Sequence, residues 1–211
     1  MKSNKVANKL QIDTVIKNLE KRNMKGYYCE DRETACQLIL SMIKDKSIVC
    51  WGGSVTLGEI KIKEKLAERD LEIIDPYSTD DPAESIERRR RGLLSDYFLM
   101  STNAITMDGE LVNIDGFGNR VAGLCFGPKK VIIVAGANKL VQGLDDALPR
   151  IKVNAAIPNC VRLNRNTPCT ITGVCSDCLT EDCICSDIVT IRYSISSNRI
   201  HVILVNEDLG Y

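Results

Sequence analysis

This sequence of 211 residues has no excess of charge of either sign, because lysine plus arginine and aspartate plus glutamate both number 28. A general nucleic-acid binder carries a basic excess that neutralises phosphates, so the composition argues against that class. No apolar run approaches the ~20 residues that a membrane span needs. The first residues lack an apolar core followed by a small-residue cleavage site, so no signal peptide is predicted and a cytoplasmic protein is expected.

Histidine is almost absent: His201 is the only one, whereas there are ten cysteines. In a reducing cytosol these cysteines are expected to be free, metal-bound or redox-active rather than paired in disulfides. Half of them lie in one short segment near the C-terminus, at Cys169, Cys175, Cys178, Cys183 and Cys185. Thiolates are soft metal ligands, so the segment predicts an all-cysteine metal centre that suits structural zinc or an iron–sulfur cluster.

The spacing within this segment selects a ligand set. Cys169, Cys175, Cys178 and Cys185 form the pattern C-x5-C-x2-C-x6-C, with Cys183 as an alternative fourth ligand. The Cys175–Cys178 pair is the most specific part, because two intervening residues let both sulfurs converge on one ion from a tight turn. A set of reduced loop thiols without a metal and a regulatory dithiol are the alternatives.

Apolar strands alternate with helical segments along most of the chain. Segments that are predicted to be strands occur at 47–51, 71–75, 96–102, 110–115, 130–136, 189–195 and from 199 onward. Helical patterns occur at 32–44, 55–69, 82–91, 118–126 and within 140–165. The alternation predicts a single α/β domain in which helices flank a mixed or parallel sheet. We assign residues 1–25 to an N-terminal helix and 26–211 to the α/β domain, with a cysteine-rich insertion at 166–187.

A glycine turn follows the first of these apolar runs. Gly52 and Gly53 separate the run from a helix, and Ser54 is placed to cap that helix. Backbone N–H groups at such a turn accept phosphate or carboxylate oxygens, so these three residues are predicted to bind a ligand. The turn has neither the Gly-Lys-Ser/Thr of a Walker loop nor a G-x-G-x-x-G pattern, and a capped turn without a ligand explains it equally well.

A second group of polar residues lies between 101 and 120. Asn103, Asn113, Asp115, Gly116, Asn119 and Arg120 concentrate at predicted strand ends and loops, which is typical of a ligand crevice in an α/β protein. Arg120 is predicted to hold a carboxylate or phosphate, and Asp115 to act as a base or a ribose partner; these two are the catalytic candidates. We expect Arg120→Ala to abolish anion binding with little loss of stability.

Other chemically notable residues have simpler explanations. The arginines at 88–91 fan around a helix, so most are expected to be solvated or paired, with room for one to reach the crevice. Lys139 follows a strand, at a loop where ligands also lie. His201 is interpreted as a satisfied sheet residue. Cys50 and Cys125 adjoin apolar runs and are interpreted as small core residues.

Several blocks together resemble the lactate-utilisation (LUD) domain family. They are STNAITMDGELVNIDGFGNRVAG, FGPKKVIIVAGANK, the four-cysteine spacing and RIHVILVNEDLGY, and the resemblance extends from WGGSVT at 51–56 to Tyr211. It implies an α/β fold similar to the superfamily of sugar-phosphate isomerases and CoA transferases. It also implies a role in oxidising lactate to pyruvate with iron–sulfur and electron-transfer partners. The chain resembles a short stand-alone form, and its cysteine spacing differs from the bacterial ferredoxin run.

Two hypotheses follow. In the first, a redox protein of the lactate-utilisation type binds a small anionic metabolite in the crevice and an iron–sulfur cluster at the cysteines, with an electron-transfer protein as partner. In the second, a non-redox α/β protein binds or isomerises a phosphorylated or CoA-linked metabolite, and zinc fixes the cysteine loop. Both leave open whether the chain turns over a substrate, and both are compatible with a homo-oligomer.

Overall fold

Two sheets organise the computed structural model, which describes residues 2–211. Its strands in chain order are β1 (Lys25–Cys29), β2 (Ile48–Trp51), β3 (Glu72–Ile74), β4 (Tyr97–Met100), β5 (Ala104–Thr106), β6 (Leu111–Asp115), β7 (Lys130–Gly136), β8 (Leu140–Val141), β9 (Asp187–Ile191) and β10 (Ile200–Val205). The large sheet has the order β1-β10-β7-β4-β2-β3, and every neighbouring pair in it is parallel.

The central strands of this sheet are apolar throughout because both of their faces are covered. Along β7, Ile132 and Val134 pack into one core, whereas Val131 and Ile133 pack into the core on the opposite face. Successive side chains of a strand point to opposite faces, so a continuous apolar run fills both cores. The predicted single α/β domain, a parallel sheet flanked by helices, is confirmed.

The helices in chain order are α1 (Lys2–Lys21), α2 (Arg32–Met42), α3 (Val55–Glu59), α4 (Ile62–Ala67), α5 (Pro82–Gly92), α6 (Asn119–Cys125), α7 (Leu144–Arg150), α8 (Ile157–Arg162) and α9 (Pro168–Thr172). A wider helical turn, Ile151–Ala156, joins α7 to α8, and a short 3-10 turn, Ala137–Lys139, follows β7. Helix α1 buries Ile12, Val15 and Leu19 completely against the main sheet, so it belongs to the same core. No helix within residues 2–211 is both long and apolar enough to cross a membrane.

The small sheet has the order β8-β5-β6-β9 and lies on the face that α1 also covers. Its β5–β6 pair is an antiparallel hairpin. The predicted turn at Asp108-Gly109 closes it, because Gly109 has a φ of +87° and its N–H donates to the Thr106 carbonyl at 2.8 Å. This sheet carries the polar run 103–115 and, through β9, the end of the cysteine segment.

Several boundaries differ from those predicted. The helix predicted over 1–25 ends at Lys21, and a strand that the sequence did not reveal begins at Lys25; residue 1 of that helix lies outside the described residues. The helix predicted over 55–69 is divided where Lys61 takes a left-handed conformation. Cys50 is buried as predicted, but Cys125 is exposed at the last turn of α6, so its interpretation as a core residue was wrong.

Candidate functional site: a cationic crevice beside the cysteine segment

The crevice lies at the carboxyl ends of three adjacent strands. The loops that follow β2, β4 and β7 meet there, since parallel strands end at the same edge of a sheet. After β2 the chain passes to α3, whose Leu57 packs on one face of the large sheet. After β4 it passes to β5, whose Ile105 packs on the opposite face. Ligands in open α/β sheets bind where connections diverge in this way. The cavity has a volume of about 490 Å³, which suits a small metabolite.

Most of the predicted ligand-binding residues line this cavity. They are Gly53, Ser54, Asn103, Asp115, Gly116, Asn119 and Arg120. Gly52 and Asn113 are buried behind the wall. The structure therefore brings together two polar segments that are about fifty residues apart in the sequence.

Arg120 lies in the wall of the crevice and forms hydrogen bonds to the segments around it. Its Nη1 donates to the Ser101 carbonyl at 3.1 Å and to Asn113 Oδ1 at 2.6 Å. Its Nη2 donates to Asn103 Oδ1 at 2.9 Å and to the Ile114 carbonyl at 2.7 Å. All four terminal N–H groups are thus engaged by the protein, and none is left to form the bidentate pair with a ligand that the sequence suggested.

Asp115 is similarly occupied by its own loop. Its Oδ1 accepts the N–H groups of Phe117 and Gly118, both at 3.2 Å, and its Oδ2 accepts the Val121 N–H at 3.2 Å. The same Oδ2 lies 3.5 Å from Arg120 Nε. These contacts fix the start of α6 and compensate the buried guanidinium charge. They leave Asp115 a positioning role, whereas a free general base would have an uncommitted oxygen.

The glycine turn is explained largely by close packing. A Cβ on Gly52 would lie 3.0 Å from Arg120 Cγ, and one on Gly53 would lie 3.0 Å from Tyr77 Oη. The Gly52 N–H donates to the Leu99 carbonyl at 3.0 Å, so it continues the sheet and is not free for a ligand. Ser54 Oγ accepts the Leu57 N–H at 3.2 Å, which is the predicted helix cap.

Lys139 is the cation in the crevice with the least compensation. It is only 3% exposed, and its Nζ donates to Ser101 Oγ at 2.8 Å and to Thr56 Oγ1 at 3.1 Å. Within residues 2–211 no carboxylate lies at ion-pair distance from it. Burial, followed by the charges of Arg150 and Arg120, lowers the pKa of Lys139 to about 7, while Glu59 opposes the shift.

Arg89 supplies a further positive charge at the cavity wall. Its guanidinium lies 4.9 Å from the ring centroid of Phe117 and 5.6 Å from that of Tyr77, so it is stacked among aromatic side chains. Its neighbours Arg88 and Arg90 pair with Glu84 and Glu87 on the same helix. The sequence left room for one arginine of the run to reach the crevice, and Arg89 is the one that lines it.

The cysteine segment forms another wall of the same cavity. The residues that contribute to it are Thr180, Glu181, Asp182, Cys183, Ile184 and Ser186. The Ser186 N–H donates to the Asp115 carbonyl at 3.0 Å, and β9 pairs with β6 so that Asp187 lies opposite Asp115. A Cβ on Gly116 would lie 3.0 Å from the Cα of Ile184. The loop that carries Asp115 is therefore in direct contact with the cysteine segment.

The thiols of this segment are close enough to influence one another. Burial, followed by Cys183, Cys160, Cys175 and Cys169, raises the pKa of Cys185 to about 12. The hydroxyl oxygen of Thr180 lies 3.8 Å from the sulfur of Cys178. Among residues 2–211, no three histidine, cysteine, aspartate or glutamate side chains already form a group that could hold a metal ion.

The sequence missed several parts of this site. Cys160 interacts with Cys169 although it lies outside the cysteine segment, and burial, ahead of that contact, raises its pKa to about 11. Tyr77, Thr56 and Ser101 lie in no sequence motif that indicates a ligand site. Only Lys139 had a usable signal, since it follows an apolar strand at the edge where ligands bind. His201 is satisfied as predicted, by Tyr27 at 2.9 Å and the Asn198 carbonyl at 3.0 Å.

Comparisons with known proteins agree with this fold. A sequence model of the LUD domain matches residues 12–205. A solved structure of a DUF162 family protein from Deinococcus radiodurans is similar, with a TM-score of 0.51 and 12% identity over 95% of this chain and 98% of that one. At that identity the likeness shows the fold alone. No curated protein matches the sequence.

The hydrogen bonds of Arg120 predict a larger loss of stability on substitution than the sequence alone suggested. Arg120→Ala should lower the free energy of unfolding by about 3 kcal/mol or more, because it leaves buried acceptors and Asp115 unpaired. Arg90→Ala is the control; Arg90 is 73% exposed and the change should cost within about 0.5 kcal/mol. Denaturant unfolding measures both. Equal losses for the two variants would contradict the structural role of Arg120.

Lys139 predicts a dependence of stability on pH. Its pKa is about 7 when folded, against 10.5 ordinarily, so between these values the unfolded chain binds one more proton than the native one. The free energy of unfolding of the wild type, relative to Lys139→Met, should therefore rise with pH above about 7, by up to about 1.4 kcal/mol per unit. Denaturant unfolding at pH 7, 8 and 9 tests this. Parallel pH profiles for the two proteins would show that the amine is not perturbed.

Proposed function

This chain belongs to the LUD domain family, and on that premise we propose that it acts in metabolism related to lactate utilisation. It does so by binding a small anionic metabolite in the crevice and a metal centre at the adjoining cysteines. The observation that carries the proposal is the shared cavity, which has Lys139 on one wall and Cys183 on another.

An anionic ligand is supported by the charges around the cavity. Arg120 and Arg165 have carboxylate partners in Asp115 and Asp182. Lys139 and Arg89 line the cavity without an ion pair among the described residues. Burying uncompensated positive charge is costly, and a bound carboxylate or phosphate relieves that cost. We propose a carboxylate of the size of lactate or pyruvate, because this follows from the family and the cavity is large enough to admit it.

A metal centre is supported by the chemistry of the donors. Cys169, Cys175, Cys178 and Cys185 would hold it, with Cys183 as the alternative fourth ligand. All of these donors are thiols, which suits iron–sulfur clusters and zinc. The Cys183 sulfur already accepts the Cys185 N–H at 3.4 Å, a kind of contact that tunes metal-bound sulfur. An iron–sulfur cluster, which we favour, would supply one-electron transfer to a protein partner.

The alternative proposal is a non-redox function with structural zinc. The same cations accept a phosphate as readily as a carboxylate, so a phosphorylated or CoA-linked metabolite also fits their charge. In that case the metal would stabilise the segment from 173 to 186, which has no helix or strand of its own. Chelation would then lower the melting temperature without altering ligand affinity per folded molecule.

Metal analysis on protein purified without oxygen separates these proposals. We predict iron and sulfide, a brown colour and absorption near 400 nm, all lost in Cys185→Ala because a thiolate ligand is removed. Cys125→Ala is the matched control, since Cys125 is an exposed cysteine outside the segment, and it should keep the full metal content. Colourless protein with stoichiometric zinc would overturn the redox proposal and support the structural one.

Calorimetric titration tests the ligand half of the proposal. Pyruvate or lactate should bind at one saturable site in the wild type, and Lys139→Met should bind either more weakly because the cavity loses a cation. Lys17→Met, at an exposed position on α1, is the control and should bind normally. If inorganic phosphate binds and neither carboxylate does, the carboxylate proposal fails and the phosphorylated ligand is favoured.

A further inference from the structure

The environment of Lys139 is that of a nucleophilic amine. Ser101 Oγ donates its proton to the Val134 carbonyl at 2.7 Å, and the Thr56 hydroxyl lies 3.4 Å from the Leu209 carbonyl, to which it donates. Both hydroxyl oxygens therefore act as acceptors toward Lys139 Nζ, at 2.8 and 3.1 Å. The hydroxyls cannot protonate the amine through these contacts, and they fix its orientation.

The number of N–H groups then determines which position on Nζ stays uncommitted. A neutral amine has two N–H groups, and both are used by Ser101 and Thr56. The remaining tetrahedral position of Nζ is its lone pair, and Lys139 lines the cavity wall. An amine held in this way has its nucleophilic electrons available and its rotation restricted, which are the requirements for attack on a bound carbonyl carbon.

The surrounding charges favour the neutral form of this amine. Arg120 on α6 and Arg150 on α7 face it, and Glu59 on α3 is the opposing carboxylate. The resulting pKa of about 7 leaves a large neutral fraction at neutral pH, whereas an ordinary lysine is almost wholly protonated there. Burial beside another cation is a known way to activate a lysine for reaction with carbonyls.

We propose that Lys139 forms a reversible imine with a carbonyl-bearing anion in the crevice, specifically a small 2-oxo acid. The inference rests on the proposed binding of a small carboxylate there. The positive charges of Arg120 and Arg150 attract the carboxylate of a 2-oxo acid. The ketone carbon next to that carboxylate is the electrophile for Nζ.

The reaction balances without a redox partner. The Nζ lone pair forms a C–N bond to the ketone carbon while the carbonyl electron pair moves to oxygen, and transfer of one nitrogen proton to that oxygen gives a neutral carbinolamine. The C–O bond then breaks as the nitrogen electrons form the C=N bond, and the hydroxyl leaves as water with the second nitrogen proton. The net change is amine plus 2-oxo acid to imine plus water, and hydrolysis reverses it.

Reductive trapping tests the inference on the whole protein. Wild-type protein is incubated at pH 7 with pyruvate and cyanoborohydride, digested, and mapped by mass spectrometry. We expect the secondary amine at Lys139 in the wild type and in Lys17→Arg, and its loss in Lys139→Arg, which keeps the positive charge but not the nucleophile. Thermal denaturation confirms that the arginine variant is folded, and the site mapped in the wild type is evidence that needs no variant.

The remaining outcomes discriminate between sources of the ligand and between the two proposals. Label on Lys139 with glyceraldehyde 3-phosphate instead of pyruvate would support an imine but assign the anion as a phosphate. Saturable calorimetric binding of pyruvate with no label on Lys139 would overturn the imine and leave the proposed function standing. Label spread over exposed lysines without preference for Lys139 would also overturn it. Neither binding nor label with either probe would overturn both proposals.

Discussion

A buried guanidinium is the constraint on which the crevice depends. Arg120 must satisfy its N–H groups away from water, and it does so with Ser101 and Asn103, which follow β4, and with Asn113 and Ile114 of β6. Because these acceptors come from both sheets, the same contacts join the small sheet to the large one at the point where the cavity opens. Gly52 packs against the Arg120 stem in this arrangement, and a Cβ there would force that stem to shift.

The hydrogen bonds of Arg120 change the interpretation of the polar run between 103 and 120. Asn103, Asn113 and Asp115 look like a ligand site in the sequence, yet their oxygens serve Arg120 and the start of α6. The positive charge available to a ligand is carried instead by Lys139 and Arg89. A chain without net charge can thus build a cavity with an excess of cations, because five basic and three acidic side chains line it.

The sequence predicted the fold better than it predicted the site. Apolar runs such as 130–136 identify buried parallel strands regardless of their neighbours, and Asp108-Gly109 identifies a hairpin through its backbone requirement. The direction of a side chain depends on tertiary contacts that no local pattern encodes. For this reason the sequence could place Arg120 at the crevice but not show that it points inward, and it could not bring Cys160 to the thiols of the segment. Lys139 was visible as a residue at a strand end, but its burial between Thr56 and Ser101 was not.

The central claim is that the crevice and the cysteine segment form one site. Alkylation of individual cysteines tests it directly, because Cys183 lines the cavity and Cys125 is exposed on α6, outside it. The rate of modification of each cysteine by iodoacetamide is measured by peptide mass spectrometry with and without saturating pyruvate. Pyruvate should slow the modification of Cys183 and leave the rate at Cys125 unchanged. Saturable binding of pyruvate with no change in the rate at Cys183 would contradict it.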